Sequence, residues 1–291
     1  MTLHVARPQE YAFTERDFRM IAALAHEGFG LHLEQGKKPL VYARLARRVR
    51  ALGLPGFADY CRLLQHPAQE EERQRMLGAL TTNVTQFFRE AHHFALLATL
   101  LRPLLGRARQ GARIRLWSAG CSTGQEPYSI AATILDACPE ADQLDIRVLA
   151  SDVDADVLAR AQAGRYGVDE LAGLSPAHRT SLFGAGRQDG PIRPELRRLV
   201  TCRLLNLVSD WPMGGRFDAI FCRNVAIYFD QPTQQRLWVR FAERLPAGGM
   251  LFIGHSERVT GPAAAHLISA GVTTYSRRGE APSESKEKPW D

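Results

Sequence analysis

Apolar residues recur at helical intervals in the first third of the chain and in short unbroken runs thereafter. Between Pro39 and Leu52, Val41, Leu45, Val49 and Leu52 share one helical face, with Arg44, Arg47 and Arg50 away from that stripe and Arg48 at its border. The segment Leu52-Gly53-Leu54-Pro55-Gly56 stops this helix. Residues 1 to about 90 read as helical throughout. From about Arg113 the texture becomes strands alternating with helices. Ile114–Ser118, Ile146–Ser151, Phe217–Cys222 and Met250–Gly254 are short apolar runs of strand length, and Val272–Ser276 suits a final edge strand. Pro127 fits the first turn of a helix running to about Cys138. Asp154 can cap a helix ended by Gly164, and Asp230 one with Pro232 in its first turn. Such alternation predicts an α/β fold, a mainly parallel sheet covered by helices.

Two stretches break the pattern. Residues 164–202 hold Gly184, Gly186, Gly190, Pro191 and Pro194 between weakly patterned segments, and read as a small inserted subdomain, a β-hairpin or three-stranded patch. The tail from Gly279 is polar and rich in Ser, Glu, Lys and Pro, which predicts disorder.

Composition narrows the class only a little. The 291 residues are 45% hydrophobic and 23% charged, as in ordinary globular proteins with one large or two ordinary domains. No apolar run reaches bilayer length and no secretory signal pattern opens the chain, so a cytoplasmic protein is expected, without membrane insertion. The five cysteines are scattered, and His92-His93 has no cysteine at zinc-ligand spacing; neither a disulfide framework nor a metal site is expected. A net charge of +6 suits an anionic partner, nucleic acid or an acidic protein surface, without choosing between them.

The candidate chemistry begins at Leu116-Trp117-Ser118-Ala119-Gly120-Cys121-Ser122-Thr123-Gly124, a run of small residues between a strand and a helix. Such a turn lets the backbone bend sharply and a cofactor approach closely, although a plain tight connection needs the same residues. The next strand ends in Asp152, where a carboxylate can accept hydrogen bonds from ribose hydroxyls or simply cap a helix. Neither a G-x-G-x-x-G fingerprint nor a P-loop is present, which favours S-adenosylmethionine over NAD or ATP. Three segments add hydrogen-bonding residues in apolar settings: Thr81–Glu90, Asn206 within Leu204–Leu207, and Arg223-Asn224 after the third strand. Buried polar groups need partners, and a ligand could supply them, as could neighbouring backbone.

Taken together, Ala79–Phe94, Trp117–Ala131, Ala150–Leu158, Phe217–Asp230 and Gly248–Glu257 resemble the CheR family of chemoreceptor glutamate O-methyltransferases, over roughly residues 14 to 278. The resemblance implies a class I S-adenosylmethionine-dependent methyltransferase, Rossmann-like, with an all-helical N-terminal domain (1–80, receptor docking) and a linker (81–92) contributing to the cofactor site. It further implies a methyltransferase domain (93–278) carrying a small antiparallel β-subdomain at about 165–202; residues 279–291 form the tail. Carried over position by position, it implies that Asn83, Thr85, Arg89, Glu126, Asp152, Asn206, Leu207, Arg223 and Asn224 hold the cofactor. Asp152 takes the ribose, and Asn206 and Leu207 lie beside the adenine. Arg89 would orient the acceptor carboxylate, with Tyr228 near the transferred methyl. The product would be S-adenosylhomocysteine. The implied partner is the cytoplasmic domain of methyl-accepting chemotaxis proteins, docked in part on the Arg44–Arg47–Arg50 face. The insert around Phe183–Ile192 looks short beside members that grip a C-terminal receptor pentapeptide, so independence of such a peptide is expected, as is a monomer. A nucleic-acid methyltransferase, a non-catalytic S-adenosylmethionine sensor and an NAD-dependent oxidoreductase are the alternatives. The first lacks an N-P-P-Y or D-P-P-Y motif and the last the right glycine spacing.

Overall fold

The structure, a computed structural model, describes residues 10–187 and 189–279. The expected disordered tail lies outside the described residues apart from Gly279. Helix α1 (Glu15–Phe29) starts at a reciprocal cap in which Thr14 and Asp17 satisfy each other's backbone, and it is followed by α2 (Lys38–Ala51), α3 (Phe57–Gln65) and α4 (Glu70–Leu80). These four enclose their own core of Phe18, Ile21, Leu45, Val49, Phe57, Tyr60, Leu64 and Met76. The α2 stripe buries Val41, Leu45 and Val49, whereas Leu52 falls past the helix end and is exposed. Glu72 is buried beneath α2, bonded by the Arg48 fork and by Tyr60 Oη at 2.9 Å.

Helicity does not continue to residue 90. The chain is irregular from Thr81 to Ala91, because its polar side chains bond to groups distant in sequence rather than to a helix ladder. The chain then runs through α5 (His92–Arg109), β1 (Ile114–Ala119), α6 (Gln125–Ala137), β2 (Ile146–Asp152) and α7 (Ala155–Ala163), the last capped by Asp154 as expected. Next come β3 (Arg165–Tyr166), α8 (Pro176–Phe183), β4 (Gly190–Pro191), α9 (Pro194–Leu199) and β5 (Val200–Leu204). Then follow β6 (Ala219–Cys222), α10 (Gln231–Arg244), β7 (Met250–Ile253), β8 (Leu267–Gly271) and β9 (Thr274–Arg277).

Among the described residues the main sheet has the order β5-β2-β1-β6-β7-β9-β8, with β5 to β7 parallel and β9 and β8 antiparallel. Two apolar clusters cover its faces, one built with α5, α6, α8 and α9, the other with α10. This is the Rossmann-like methyltransferase architecture with an all-helical N-terminal part.

Two boundary readings of the sequence are corrected. The inserted subdomain carries the expected small antiparallel sheet, a two-residue pair, Arg165–Tyr166 against Gly190–Pro191, beside α8 and α9. It ends sooner than expected, because Val200–Leu204 is a strand of the main sheet, in register with Val148–Asp152. As an edge strand β5 is half-exposed along its length, so it never shows the unbroken apolar run of a central parallel strand. The last strand is Thr274–Arg277 and is not the edge; it is covered by β8 in a hairpin. The five cysteines are free thiols, four of them buried.

Candidate active site

The strand order reverses between β1 and β6, and ligands in such sheets bind beyond the carboxyl ends of the strands at that point. A cavity of about 510 Å³ opens there, within the usual range for small-molecule sites. Its wall includes all ten residues expected from sequence: Asn83, Thr85, Arg89, Glu126, Asp152, Asn206, Leu207, Arg223, Asn224 and Tyr228. They come from the linker, the start of α6, the end of β2, the segment after β5 and the loop after β6.

Of the small-residue turn, only Gly120 and Ser122 reach the cavity. Gly120 has φ +85°, and a Cβ there would meet Val225 Cγ2 at 2.3 Å. Gly124 has φ +99°, and its missing Cβ makes room for Tyr166 Oη and Ala161. The second glycine thus serves the packing of α6 against the insert, not a ligand.

Asp152 accepts Ser122 N–H on Oδ2 at 2.8 Å and Asp154 N–H on Oδ1 at 3.0 Å. Each oxygen keeps capacity for another donor. Burial pushes its carboxyl above the ordinary value, against the pull of those backbone donors. Hydroxyl donors from a ligand would compensate that burial. Asn224 sits at φ +59° with Oδ1 buried and, among the described residues, without a partner. Two acceptors, Asp152 and Asn224, fit a ribose, and Val153, Leu205, Leu207 and Val225 on the same wall suit the face of a flat base.

Several side chains do structural work that sequence could not show. Asn83 Nδ2 donates to Asp154 Oδ2 at 3.1 Å and its carbonyl accepts Ser122 Oγ at 3.0 Å, which pins the linker to the sheet. Asn206 donates to Gly28 O at 2.8 Å and accepts Val208 N–H at 3.0 Å, so its amide joins the end of α1 to the segment after β5. The first of these partners is one that adjacency in sequence hides.

Arg223 is the buried centre of the polar floor. Its guanidinium lies 3.3 Å from Glu90 Oε2 and 3.2 Å from Glu126 Oε2, and donates to the Arg89 carbonyl. Glu126 also accepts Ser118 Oγ at 2.7 Å; burial raises its carboxyl above the ordinary value although Arg223 and Ser118 oppose this. Burial works the same way on Glu90, but Arg223, His93 and the His255 contacts outweigh it and hold that carboxyl low. His93 is driven down to about 4, by burial first and then by the Arg223 charge. Glu90, His92 and His93 bring possible ligand atoms within 4.8 Å of one another, but the cation beside Glu90 is the Arg223 guanidinium.

Arg89 stands apart. Among the described residues it has no carboxylate partner, and its Nη1 donates to Val84 O at 3.4 Å. Glu90 and Glu126, the partners that a purely structural Arg89 would use, are held by Arg223. Tyr228 Oη donates to Thr82 O, in the linker, at 3.4 Å. The sequence reading missed Phe29, Leu31 and Leu77, which bring the helical part into the cavity wall, and His255 and Ser256 after β7. Nothing in a helical stripe distinguishes a residue facing a cavity from one facing a core.

Comparison with known proteins matches this geometry. Residues 83–275 match the family described as CheR methyltransferase, SAM binding domain, and residues 16–81 match CheR methyltransferase, all-alpha domain. A probable chemotaxis protein methyltransferase of Rhizobium etli is 49% identical over 251 residues, covering 84% of this chain and 94% of that one. Chemotaxis protein methyltransferase 2 of Pseudomonas aeruginosa is 44% identical, covering 92% and 95%. The chemotaxis protein methyltransferase of Escherichia coli is 44% identical, covering 86% of each chain. No helix among the described residues is long and apolar enough to cross a membrane. With its S-adenosylmethionine-binding domain preceded by an all-helical one, the chain belongs to the CheR methyltransferase family.

Proposed function

We propose that this methyltransferase esterifies glutamate side chains of chemoreceptor cytoplasmic domains, in the cytoplasm, and that Arg89 and Tyr228 act on the acceptor. The observation that carries the reading is the unmatched Arg89 guanidinium on the wall that also holds Asp152 and Tyr228. A cation at a cavity wall whose neighbouring carboxylates are already paired is well placed to receive a carboxylate from outside.

Bound in this cavity, S-adenosylmethionine supplies a sulfonium-activated methyl group; its transfer to a carboxylate oxygen leaves the methyl–sulfur bonding pair on sulfur, as S-adenosylhomocysteine. Asp152 would hold the ribose, Leu207 and the backbone around Asn206 the base, and Asn83, Thr85, Glu126, Arg223 and Asn224 the remainder. A glutamate is ionised at neutral pH, with an ordinary pKa of about 4.3, so no general base is needed. What the protein must do is align and exclude water. Arg89 orients the carboxylate with its planar fork. Tyr228 can turn its hydroxyl from the long Thr82 contact to the acceptor. Phe29, Leu31, Leu77 and Val153 keep the adjoining wall apolar.

Residues 1–80 would dock the receptor, 81–92 serve as the linker and 93–278 as the methyltransferase domain. The Arg44–Arg47–Arg50 face is divided by the structure. Arg44 bonds Leu80 O and Thr82, Arg48 is taken by Glu72 and Arg50 by Glu10. Arg47, exposed, is the arginine of that helix best placed to meet an acidic receptor surface. Docking independent of a receptor pentapeptide is supported by the two-residue sheet of the insert, one of whose strands contains Pro191, which has no N–H to offer an added strand. A monomer without a nucleic-acid role completes the proposal. The test is incubation with labelled S-adenosylmethionine and receptor cytoplasmic domains, followed by mild base. Release of label marks a carboxyl methyl ester; stable label overturns the glutamate reading. Arg89→Ala should abolish most turnover, and unchanged turnover removes Arg89 from the mechanism.

A further inference from the structure

We propose that Glu257 is a positioning residue for this reaction, a buried carboxylate that folds the loop after β6 into the cofactor wall. The inference rests on the reading of the cavity given above. Glu257 follows β7, 33 residues from Asn224, and is 5% exposed. Its Oε2 accepts the N–H groups of Asn224 at 3.0 Å and Gly254 at 2.6 Å. Its Oε1 accepts those of Val225 at 3.0 Å and Ile227 at 3.3 Å. Four backbone donors thus converge on one side chain, and three belong to the loop that presents Asn224, Val225, Ile227 and Tyr228 to the cavity.

That loop needs an outside anchor. Asn224 is held in the left-handed region at φ +59°, which residues with a side chain adopt uncommonly and asparagine more readily than most. Residues 224–227 cannot pair their N–H groups as a strand, because β6 ends at Cys222. An ionised carboxylate is the acceptor that can serve all four at once, two per oxygen. Burial raises the Glu257 carboxyl, and backbone N–H groups, Gly254 and Asn224 foremost, oppose that rise. On the other side the loop is pressed by Gly254: a Cβ there would lie 2.7 Å from Asn224 Nδ2 and 2.8 Å from its backbone nitrogen. Glu257 pulls the loop in and Gly254 leaves room for it. Glutamine at 257 would keep the shape but turn an NH2 group toward two N–H donors.

The experiment compares the full-length chain with Glu257→Gln, Gly254→Ala and the core variant Leu135→Ala. Each is measured for S-adenosylhomocysteine affinity by calorimetry, for receptor KM, for kcat and for Tm. Leu135 lies in the second half of α6 in the apolar cluster, away from the cavity wall, and reports the effect of lost stability alone. Glu257→Gln and Gly254→Ala should each weaken S-adenosylhomocysteine binding by about tenfold to a hundredfold, as displacing site groups by up to ~1 Å does. Leu135→Ala should lower Tm without that loss. If Glu257→Gln does not fold, Gly254→Ala carries the test, since it moves the loop while the carboxylate stays. Wild-type affinity in whichever of the two folds, or an equal loss in Leu135→Ala, overturns the proposal alone. A wild-type chain that binds no S-adenosylhomocysteine overturns the reading of the cavity as well.

Discussion

Removing Arg223 should cost the fold far more than losing one polar side chain usually does, and the cost should depend on Glu126. The Arg223 side chain is 3% exposed and lies between two carboxylates of 14% and 11% exposure. Arg223→Met keeps much of the stem but removes the charge that both acids face and the donor to the Arg89 carbonyl. Breaking a buried pair from one side costs about 3–5 kcal/mol, because the remaining charge is left uncompensated. Glu126 already has a raised carboxyl pKa and would escape by taking a proton, at about 1.4 kcal/mol for each unit between its pKa and the solution pH. The loss should therefore be about 3–5 kcal/mol near pH 7.5 and smaller near pH 5.5. Arg223→Met combined with Glu126→Gln should be more stable at pH 7.5 than Arg223→Met alone, by about 1 kcal/mol or more, because the stranded charge has gone. Urea denaturation of the wild type, both single variants and the double variant at the two pH values closes the cycle. A loss under about 1 kcal/mol for Arg223→Met, or a double variant that simply adds the two single costs, would refute the argument that this cation stabilises two buried acids.

Three further outcomes follow from the same structure. His93, fully buried with its pKa depressed from 6.5 to about 4, is neutral in the fold, so the unfolded chain takes up the proton first as the solution is acidified. Its contribution is therefore complete above pH 6.5 and lost as pH falls toward 4, by about 2–3 kcal/mol after allowance for screening; His93→Gln should flatten the urea-midpoint profile over that window, and an unchanged slope would contradict the assignment. Asp152→Asn exchanges a charged acceptor for a neutral one, and S-adenosylhomocysteine affinity by calorimetry should fall about tenfold or more; equal affinity would remove Asp152 from the site. Arg44→Glu and Arg47→Glu should separate in kinetics. The first releases Leu80 and Thr82 and weakens cofactor binding, and the second raises only the receptor KM; a KM effect alone in both would show the Arg44 contacts to be dispensable.

Legibility followed burial. Strands β1, β6 and β7 are covered on both faces and spell short apolar runs, and the α2 stripe repeats at helical spacing because one side of it alone is buried. At the sheet edges that signal fails. Thr201 and Arg203 of β5, like Ser269 of β8, face partly to solvent, so one strand was read as part of the insert and the other was missed. The site residues were recognisable as an ordered set of motifs, yet their bonding was not. Arg223 and Glu126 are 97 positions apart and Asn206 and Gly28 178 apart, and no local pattern encodes which acid an arginine will meet.

That last kind of contact changes what the helical domain is for. The end of α1 is tied to the catalytic side three times over. His26 meets Asp230 at 2.8 Å, the Gly28 carbonyl accepts Asn206, and Leu31 bridges to Phe229, with the His32 N–H donating to the Tyr228 carbonyl at 2.8 Å. Phe29, Leu31 and Leu77 then close part of the cavity wall. A domain that only carried the receptor to the enzyme would need none of these, and could be joined by a free linker. Here the backbone that bears Tyr228 is paired to the segment after α1, and the chain that bears Asn83 and Arg89 leaves directly from α4 under the grip of Arg44. The helical part and the residues that line the cavity are therefore one packed unit, and a change at Arg44 would be felt at the linker side of the cavity wall through its contacts with Leu80 and Thr82.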